Sequence, residues 1–431
     1  MAQAGNIQVI SKTDYTNQTV VPLSIPSATP LTTPNTVRIR SRILGLTTNL
    51  QKCAKMGFAR FPGLDWWNIW PLPSDIVSEP FSDATKYCRI GAWGYAEVVE
   101  STIPSLAVGT WLYGYQPIGT VPEELNLEAV EGVTGGWVEV SERRRGLLGI
   151  YNFYIETDLK DEGRESMGWN ALMQPFFLTS WLLNRFVFGW TGTGEEGKGT
   201  AIHPLGDSDQ PWTKEDADLR GATVILLAAS GKTGLAFAQQ LRRGRPQSQR
   251  PSKIVAVGSE KSRTFTSGTR WFDEVLLYDD AAAPGLLDLD SKGKVLLVNF
   301  GARGNVADRW AAALRLLCKH LQILLVGTDP SFNGQSELLS LTSQPGGSQP
   351  GSSGVYQSNA GRQREAAIQM LGGAKKYTDE FGTAWDAFKA EGAVKGLNLE
   401  WGRGIKGFTE GWDALIRGEV GSDVGLVYDL T

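Results

Sequence analysis

The sequence predicts an α/β protein of two domains, one mainly strand and turn and one a doubly wound parallel sheet. Two observations carry the prediction. Between residues 37 and 115, short strand patterns alternate with proline and glycine punctuation. From residue 222 onward, short uniformly apolar runs alternate with helical patterns, which is how βαβ units and a parallel sheet read. The length, 431 residues with 41% hydrophobic content, is enough for more than one core.

Taken in order, residues 1–36 are rich in Thr, Pro, Asn and Ser and predict an extended arm. Residues 37–46 read as a strand, opening on the alternation Val37-Arg38-Ile39-Arg40. An aromatic, proline-punctuated stretch follows over 58–73, then strands over 90–100 and 109–115. The most apolar helical stretch, 171–190, holds Gln174, Pro175, Asn184 and Arg185, and reads as a buried helix rather than a membrane span. Residues 222–229 form a continuous apolar run, expected to be a strand buried on both faces, and lead through a glycine turn to a helix over 233–243. Further strands are expected over 253–257, 274–278, 295–300 and 323–326, with a helix over 306–320. Segments 191–218, 242–251 and 331–354 read as insertions or linkers. The end of the chain predicts helices over 379–391 and 408–417 and strands over 396–400 and 425–429.

Charge and composition narrow the function. With 42 Lys+Arg against 46 Asp+Glu, the net charge of −4 argues against sequence-independent nucleic-acid binding, which needs a basic face. Three cysteines, Cys53, Cys88 and Cys318, are far apart, and His203 and His320 are the two histidines. A clustered zinc site lacks material, and any Ser/His/Asp triad must use one of these two histidines. Neither histidine sits in a motif. Sparse cysteines suit a reducing compartment, and residues 1–10 lack a basic, then apolar, leader pattern, so a cytoplasmic location is expected. Arg143-Arg144-Arg145 reads as a solvated turn.

The chemistry concentrates at Ala228-Ala229-Ser230-Gly231-Lys232-Thr233-Gly234, between buried strand and helix. Backbone N–H groups at such a helix start receive a pyrophosphate, and small residues let the backbone approach it. The pattern is A-x-G-x-x-G, lacking the first glycine of the full dinucleotide motif; a tight turn without ligand is the alternative. After the second strand, Gly258 stands where NAD-specific folds place a carboxylate. Ser259, Lys261 and Arg263 are then candidates for a 2′-phosphate, against Glu260 as a contrary sign and a plain solvated loop as the alternative. NADPH is therefore expected in preference to NADH.

These residues resemble the medium-chain dehydrogenase/reductase superfamily, in particular its zinc-free quinone oxidoreductase-like and enoyl reductase-like members. The turn at 229–234 is similar to their phosphate loop. Gly91-Ala92-Trp93-Gly94-Tyr95-Ala96-Glu97-Val98-Val99-Glu100 resembles their G-x-x-G-x-G-x-V-V-E strand, and Val108-Gly109-Thr110-Trp111-Leu112-Tyr113-Gly114-Tyr115 the strand that follows. A poorly characterised branch, a family of unknown function, is more similar still, through Trp66-Trp67-Asn68-Ile69-Trp70-Pro71, Tyr151-Asn152-Phe153-Tyr154 and residues 173–180. The resemblance implies a GroES-like, partly open β-barrel over 1–165 and 375–431, with a Rossmann-type nucleotide domain over 166–374. It implies no catalytic zinc, since Gly91-Ala92-Trp93 replaces the Gly-His-Glu of zinc enzymes.

It also implies roles. Asn49, after the first core strand, would polarise a substrate oxygen, or else serve as a turn or cap residue. Tyr115 is the second catalytic candidate, with core packing as its alternative. Asn299, Phe300, Gly301 and Gly327, at strand ends, would line the nicotinamide ribose, or else form plain turns. Trp66, Trp67, Trp70 and Trp93 would either sandwich a bulky hydrophobic or aromatic substrate or fill the core. The expected function is an NADPH-dependent reductase of a conjugated enone or quinone, tailoring a polyketide-like metabolite, with no nucleic-acid or membrane partner and with a homodimer expected from the resemblance. The alternatives are a non-redox isomerase, cyclase or lyase on the same scaffold, and a protein that binds NADP(H) or a hydrophobic ligand without turnover.

Overall fold

The structure, a computed structural model, describes residues 3–25, 29–57, 65–73, 75–158, 162–189, 201–206, 208, 210–282, 289, 293–327 and 354–431. Two compact units result. One is Met1–Pro175 with Asn398–Thr431, and the other is Phe176–Leu397.

The first unit is the barrel. Its strands are β1 (Gln3–Ser11), β2 (Gln18–Ile25), β3 (Thr36–Leu46), β4 (Tyr87–Cys88), β5 (Gly91–Ser101), β6 (Trp111–Pro117), β7 (Glu123–Ala129), β8 (Gly136–Glu139) and β9 (Phe153–Thr157). Helices α1 (Thr48–Met56) and α2 (Trp66–Ile69) follow β3. The ring runs β3-β5-β6-β9-β8-β7 and returns to β3. β3 splits its partners: Thr36–Ile39 pair with β7, whereas Ile43–Leu46 pair with the last strand of the chain. The barrel is thus closed at one end of β3 and opens into an extended sheet at the other. The arm expected over 1–36 is instead a hairpin, β1 with β2, extended by β4 into a three-stranded sheet. Its alternation Ile7, Val9, Val21, Leu23 buries one face, a period-two signal hidden among Thr and Pro.

Helix α3 (Arg164–Leu182) carries the chain from one unit to the other. The division falls at Pro175, ten residues later than expected, because the helix's first half belongs to the barrel. There Gly45 of β3 lets the α3 backbone come so close that a Cβ would stand 2.3 Å from the Ala171 carbonyl oxygen. Pro175 lacks the N–H that this carbonyl would otherwise accept from within the helix.

The second unit holds a six-stranded parallel sheet. Its strands are β10 (Thr223–Leu227), β11 (Lys253–Gly258), β12 (Glu274–Leu277), β13 (Lys294–Phe300), β14 (His320–Gly327) and β15 (Val355–Gln357). Its helices are α4 (Lys214–Ala217), α5 (Lys232–Arg243), α6 (Glu260–Gly268), α7 (Val306–Leu317), α8 (Ala360–Met370) and α9 (Ala374–Ala390). The order is β12-β11-β10-β13-β14-β15. Counted within the sheet this is 3-2-1-4-5-6, the Rossmann order. Strand β10 shows why its sequence is uniformly apolar. Ile225 and Leu227 pack on one side with Trp310 and Leu314 of α7, while Val224 and Leu226 pack on the other with Phe237 and Leu241 of α5. The return to the barrel comes after Leu397 rather than at 375, because α9 packs inside this unit: Trp385 and Phe388 pack tilted against Phe177, and Tyr377 and Phe381 edge-on against Trp181. The chain then closes the first unit with β16 (Asn398–Arg403), α10 (Gly404–Ile416) and β17 (Val424–Asp429), the strand that pairs with β3. Among the described residues no helix is long and apolar enough to cross a membrane.

Candidate active site

In the second unit, chain order reverses between β10 and β13, and the crevice beyond their C-terminal ends is where such sheets bind ligands. The glycine turn lies at this point. Ala228 adopts φ +56°, a left-handed conformation that costs a non-glycine residue about 1 kcal/mol or more. The turn is closed by the Gly231 N–H donating to the Ala228 carbonyl at 3.0 Å. Gly231 then caps α5 with extended backbone and no side-chain hydrogen bond, so no side chain of the cap competes for the N–H groups of the first turn. Gly234 is fixed by contact: a Cβ there would lie 2.9 Å from the Ala229 carbonyl oxygen. Ser180 of α3 donates to the Thr233 carbonyl at 2.9 Å and braces the turn, while Ser230 stays partly exposed.

Lys232 is the first residue of α5, and it is half-buried. Burial draws its ammonium down to about 8, and no carboxylate offsets the effect. Lys294 is lowered to a similar value by burial, but it donates to the carbonyls of Glu215, Asp216 and Asp218 at 2.7, 2.6 and 2.9 Å. Lys232 makes no hydrogen bond or ion pair among the described residues. A desolvated cation at a helix N-terminus, within a turn of small residues, is an anion-binding arrangement.

The segment after β11 is not a loop. Ser259 caps α6, and Lys261 and Arg263 lie in its first turns. Ser259 and Ser262 hydroxyls are 3.2 Å apart, and Arg263 pairs with Glu260 at 3.5 Å in an exposed i,i+3 contact. The Glu260 carboxylate therefore already engages the guanidinium proposed for a phosphate. At the end of β13, Asn299 Oδ1 accepts from the Gly301 and Ala302 N–H groups at 3.0 and 2.8 Å, so Asn299 shapes that turn. The Phe300 ring packs 5.9 Å from Phe237. Gly327 must be glycine, since a Cβ would stand 2.2 Å from the Phe300 carbonyl oxygen. Thr328 and the segment 331–353 lie outside the described residues.

In the first unit, α1 sets Asn49 one turn before Cys53, and the Asn49 amide donates to the Cys53 sulfur at 3.8 Å. Cys53 is fully buried, and burial pushes its thiol up to about 12. Tyr115 is a barrel-core residue. It is fully buried, its hydroxyl accepts from the Gly91 N–H at 3.2 Å, and its ring meets Trp93 and Tyr151 edge-on at 5.5 and 5.1 Å. The four tryptophans divide. Trp66 and Trp70 are buried in the barrel core. Trp67 is half-buried and donates its indole N–H to the Ala54 carbonyl at 3.0 Å. Trp93 is half-buried within an aromatic group, stacked on Tyr113 at 6.1 Å and tilted against Tyr151 at 6.1 Å.

The arginine triplet is corrected. Arg144 is completely buried, donates to the Tyr154 hydroxyl at 3.0 Å, faces Glu139 at 3.6 Å and lies over the Trp70 ring at 4.3 Å. Arg143 donates to the Ile69 carbonyl at 2.6 Å. Arg143 and Arg144 thus clamp the tryptophan segment to the barrel, while Arg145 stays exposed. Lys52 was not anticipated. It sits on α1 three residues after Asn49 and next to Cys53, half-buried and without a hydrogen bond or ion pair among the described residues. The i, i+3, i+4 spacing of 49, 52 and 53 was the signal available for it. Among the described residues no three His, Cys, Asp or Glu side chains are grouped to hold a metal.

The comparisons agree with this architecture. No curated protein matches the sequence. Among solved structures, the chain is similar to CurA from Vibrio vulnificus in complex with NADPH, with 13% identity, a TM-score of 0.55 and 99% of each chain covered. It is similar to a mutant enoyl thioester reductase from Candida tropicalis, with 12% identity, a TM-score of 0.53 and 100% of each chain covered. The Etr1p complex with NADP and crotonyl-CoA matches at 11% identity and a TM-score of 0.53, over 99% of this chain and 100% of that one. At these identities the likeness establishes the fold, a GroES-like barrel joined to a Rossmann sheet. Residues 44–421 match one family model, and the chain accordingly belongs to the family described as "Protein of unknown function (DUF2855)".

Proposed function

We propose that the protein is an NADPH-dependent reductase of a conjugated enone or quinone, working without a metal on a hydrophobic or aromatic substrate of polyketide-like size. The observation that carries the reading is Lys232, a desolvated ammonium with no hydrogen bond or ion pair among the described residues, set in a tight turn at the switch point of a Rossmann sheet. The chain's fold is shared with structures solved with NADPH or NADP bound. Ser230, Gly231, Lys232 and Thr233 would hold the pyrophosphate, and Ser259, Lys261 and Arg263 the 2′-phosphate. Bound there, NADPH would supply hydride. On the barrel side, the Asn49 amide would hold the oxygen on which charge develops, and the ring face of Trp93 would seat a planar substrate. Copies would pair along an edge of the six-stranded sheet, whose edge strands are β12 and β15.

The test is a titration with NADPH and with NADH, followed by quenching of the 15 tryptophans and by calorimetry. NADPH is expected to bind more tightly, and substitution of Lys261 and Arg263 to weaken NADPH selectively. Because Lys232 loses its proton at about 8 when free, NADPH affinity is expected to fall as pH rises above that value and to stop falling in Lys232→Arg. No binding of either nucleotide by folded protein would sink the reading and favour non-redox chemistry. Tight NADPH binding with no enone or quinone reduced would favour a binding protein.

A further inference from the structure

Reduction of an enone needs a proton as well as a hydride, and the barrel's candidates for donating it can be weighed one by one. Tyr115 is fully buried, its hydroxyl accepts from the Gly91 N–H, and burial pushes its phenol well up. Cys53 is equally buried, and burial makes its thiol a weaker acid still. Tyr151 is held in the same ring cluster, with its phenol pushed up by burial. Lys52 differs from all three. It shares a face of α1 with Asn49 and Cys53. The contacts settle which face this is: Cys53 packs with Tyr115, Trp66 and Trp70 in the barrel core, whereas Leu50 and Ala54 pack in the separate cluster that holds Phe408 and Trp412. Lys52 is half-buried rather than sealed. No carboxylate or carbonyl among the described residues engages it. Burial lowers its ammonium, so it gives up a proton more readily than a surface lysine, and nearby Cys53 opposes that shift only in part. Lys232 and Lys52 are thus two half-buried ammoniums without a hydrogen bond or ion pair among the described residues, one in the nucleotide turn and one beside the substrate-side amide.

We propose that Lys52 is the general acid of the reaction, delivering to the α-carbon of the substrate the proton that completes reduction. The proposal rests on the reductase reading. Hydride addition at the β-carbon places an electron pair on the conjugated α-carbon and oxygen. The Asn49 amide holds the oxygen. The α-carbon takes a proton from Lys52 Nζ, so that a C–H bond forms and an N–H bond breaks, and the neutral amine regains a proton from water.

Enones of increasing size are offered with NADPH in D2O to the wild type, Lys52→Met and Lys52→Arg. The readouts are the rate and the face on which deuterium enters the α-carbon. Both variants are expected to lose about 100-fold in kcat, the usual contribution of a positioned acid, since a guanidinium keeps the charge but gives up no proton. Deuterium is expected on one face with the wild type and on both with the variants, while NADPH binding by fluorescence is unchanged. Independently of turnover, acetic anhydride near neutral pH is expected to modify Lys52 ahead of Lys86, whose ammonium is held up by Asp83. A Lys52→Met enzyme that keeps its rate and single-face deuteration overturns the assignment and leaves the reductase reading standing, as does modification of Lys52 no faster than of Lys86. A wild type that binds NADPH but reduces no enone removes the reductase reading and the assignment together.

Discussion

At the scale of single residues, burial without a partner is what separates the candidate site from its surroundings. Arg144 shows the opposite case: it is sealed in the barrel, but Glu139, Tyr154 and the Trp70 ring surround it. Lys232 has no such company among the described residues, and its charge costs the folded chain stability. The sign of the resulting pH dependence follows from linkage. In the unfolded chain this lysine keeps its proton up to 10.5, whereas in the folded chain it loses it at about 8. Between those values the unfolded state binds the extra proton, so stability rises with pH through that window. Relative to Lys232→Met, the wild type is therefore expected to be least stable below pH 8 and to recover as pH approaches 10.5, as read from urea midpoints of the two proteins. Lys294 titrates in both and cancels in the difference. A constant difference across the window would mean that Lys232 reaches water freely and is no anion trap.

At the scale of elements, close backbone approach is what the glycines supply. Gly45 lies within β3, and a Cβ there would meet the Ala171 carbonyl carbon and oxygen at 2.7 and 2.3 Å. Backbone atoms cannot swing aside as a side-chain tip can. Gly45→Ala is expected to cost about 1–3 kcal/mol by overpacking, although alanine suits a strand interior better than glycine. Equilibrium unfolding in urea measures it, and an unchanged midpoint would show that α3 can slide along β3. Contacts of this kind explain which elements were legible in the sequence. Five of the six strands of the parallel sheet were, because both faces are buried and their centres are apolar, as in Val224, Ile225, Leu226 and Leu227, whereas the three-residue β15 was not. The hairpin β1–β2 was not, because its apolar residues alternate with Gln, Asn and Thr and its partner β4 is 76 or more residues away. Helix α6 was not legible, because its exposed face carries Glu260, Lys261 and Arg263 and its buried residues are the small polar Ser262 and Thr266. In the candidate site the glycine turn was legible as a local motif. Core packing of Tyr115 was legible as the alternative to a catalytic role, whereas the burial of Arg144 was not, since it depends on Trp70, which is distant in sequence.

At the scale of the whole molecule, the chain is one unit interrupted by another. Phe176–Leu397 is continuous, whereas the barrel is completed only by Asn398–Thr431, which brings β17 back to β3. Each unit has its own apolar core, the barrel around Val98, Leu112 and Tyr154, the sheet around Leu226, Val255 and Leu297. A ligand that binds only the folded form stabilises whichever cooperative unit contains its site, by about 2.7 kcal/mol at a hundred times its dissociation constant. The residues proposed to hold NADPH all lie in Phe176–Leu397. Hydrogen exchange with saturating NADPH is therefore expected to slow in β10, β11, β13 and α5, with little change in β5 and β6 if the two cores open independently. Slowing of β5 and β6 by the same factor would show instead that the units unfold as one, with α3, which begins in one and ends in the other, as the element that couples them. No slowing in either unit would remove the nucleotide from the site. Lys232→Met separates the last two cases from a trivial loss of folding, since it should abolish NADPH protection in β10 and α5 while leaving their exchange without nucleotide intact.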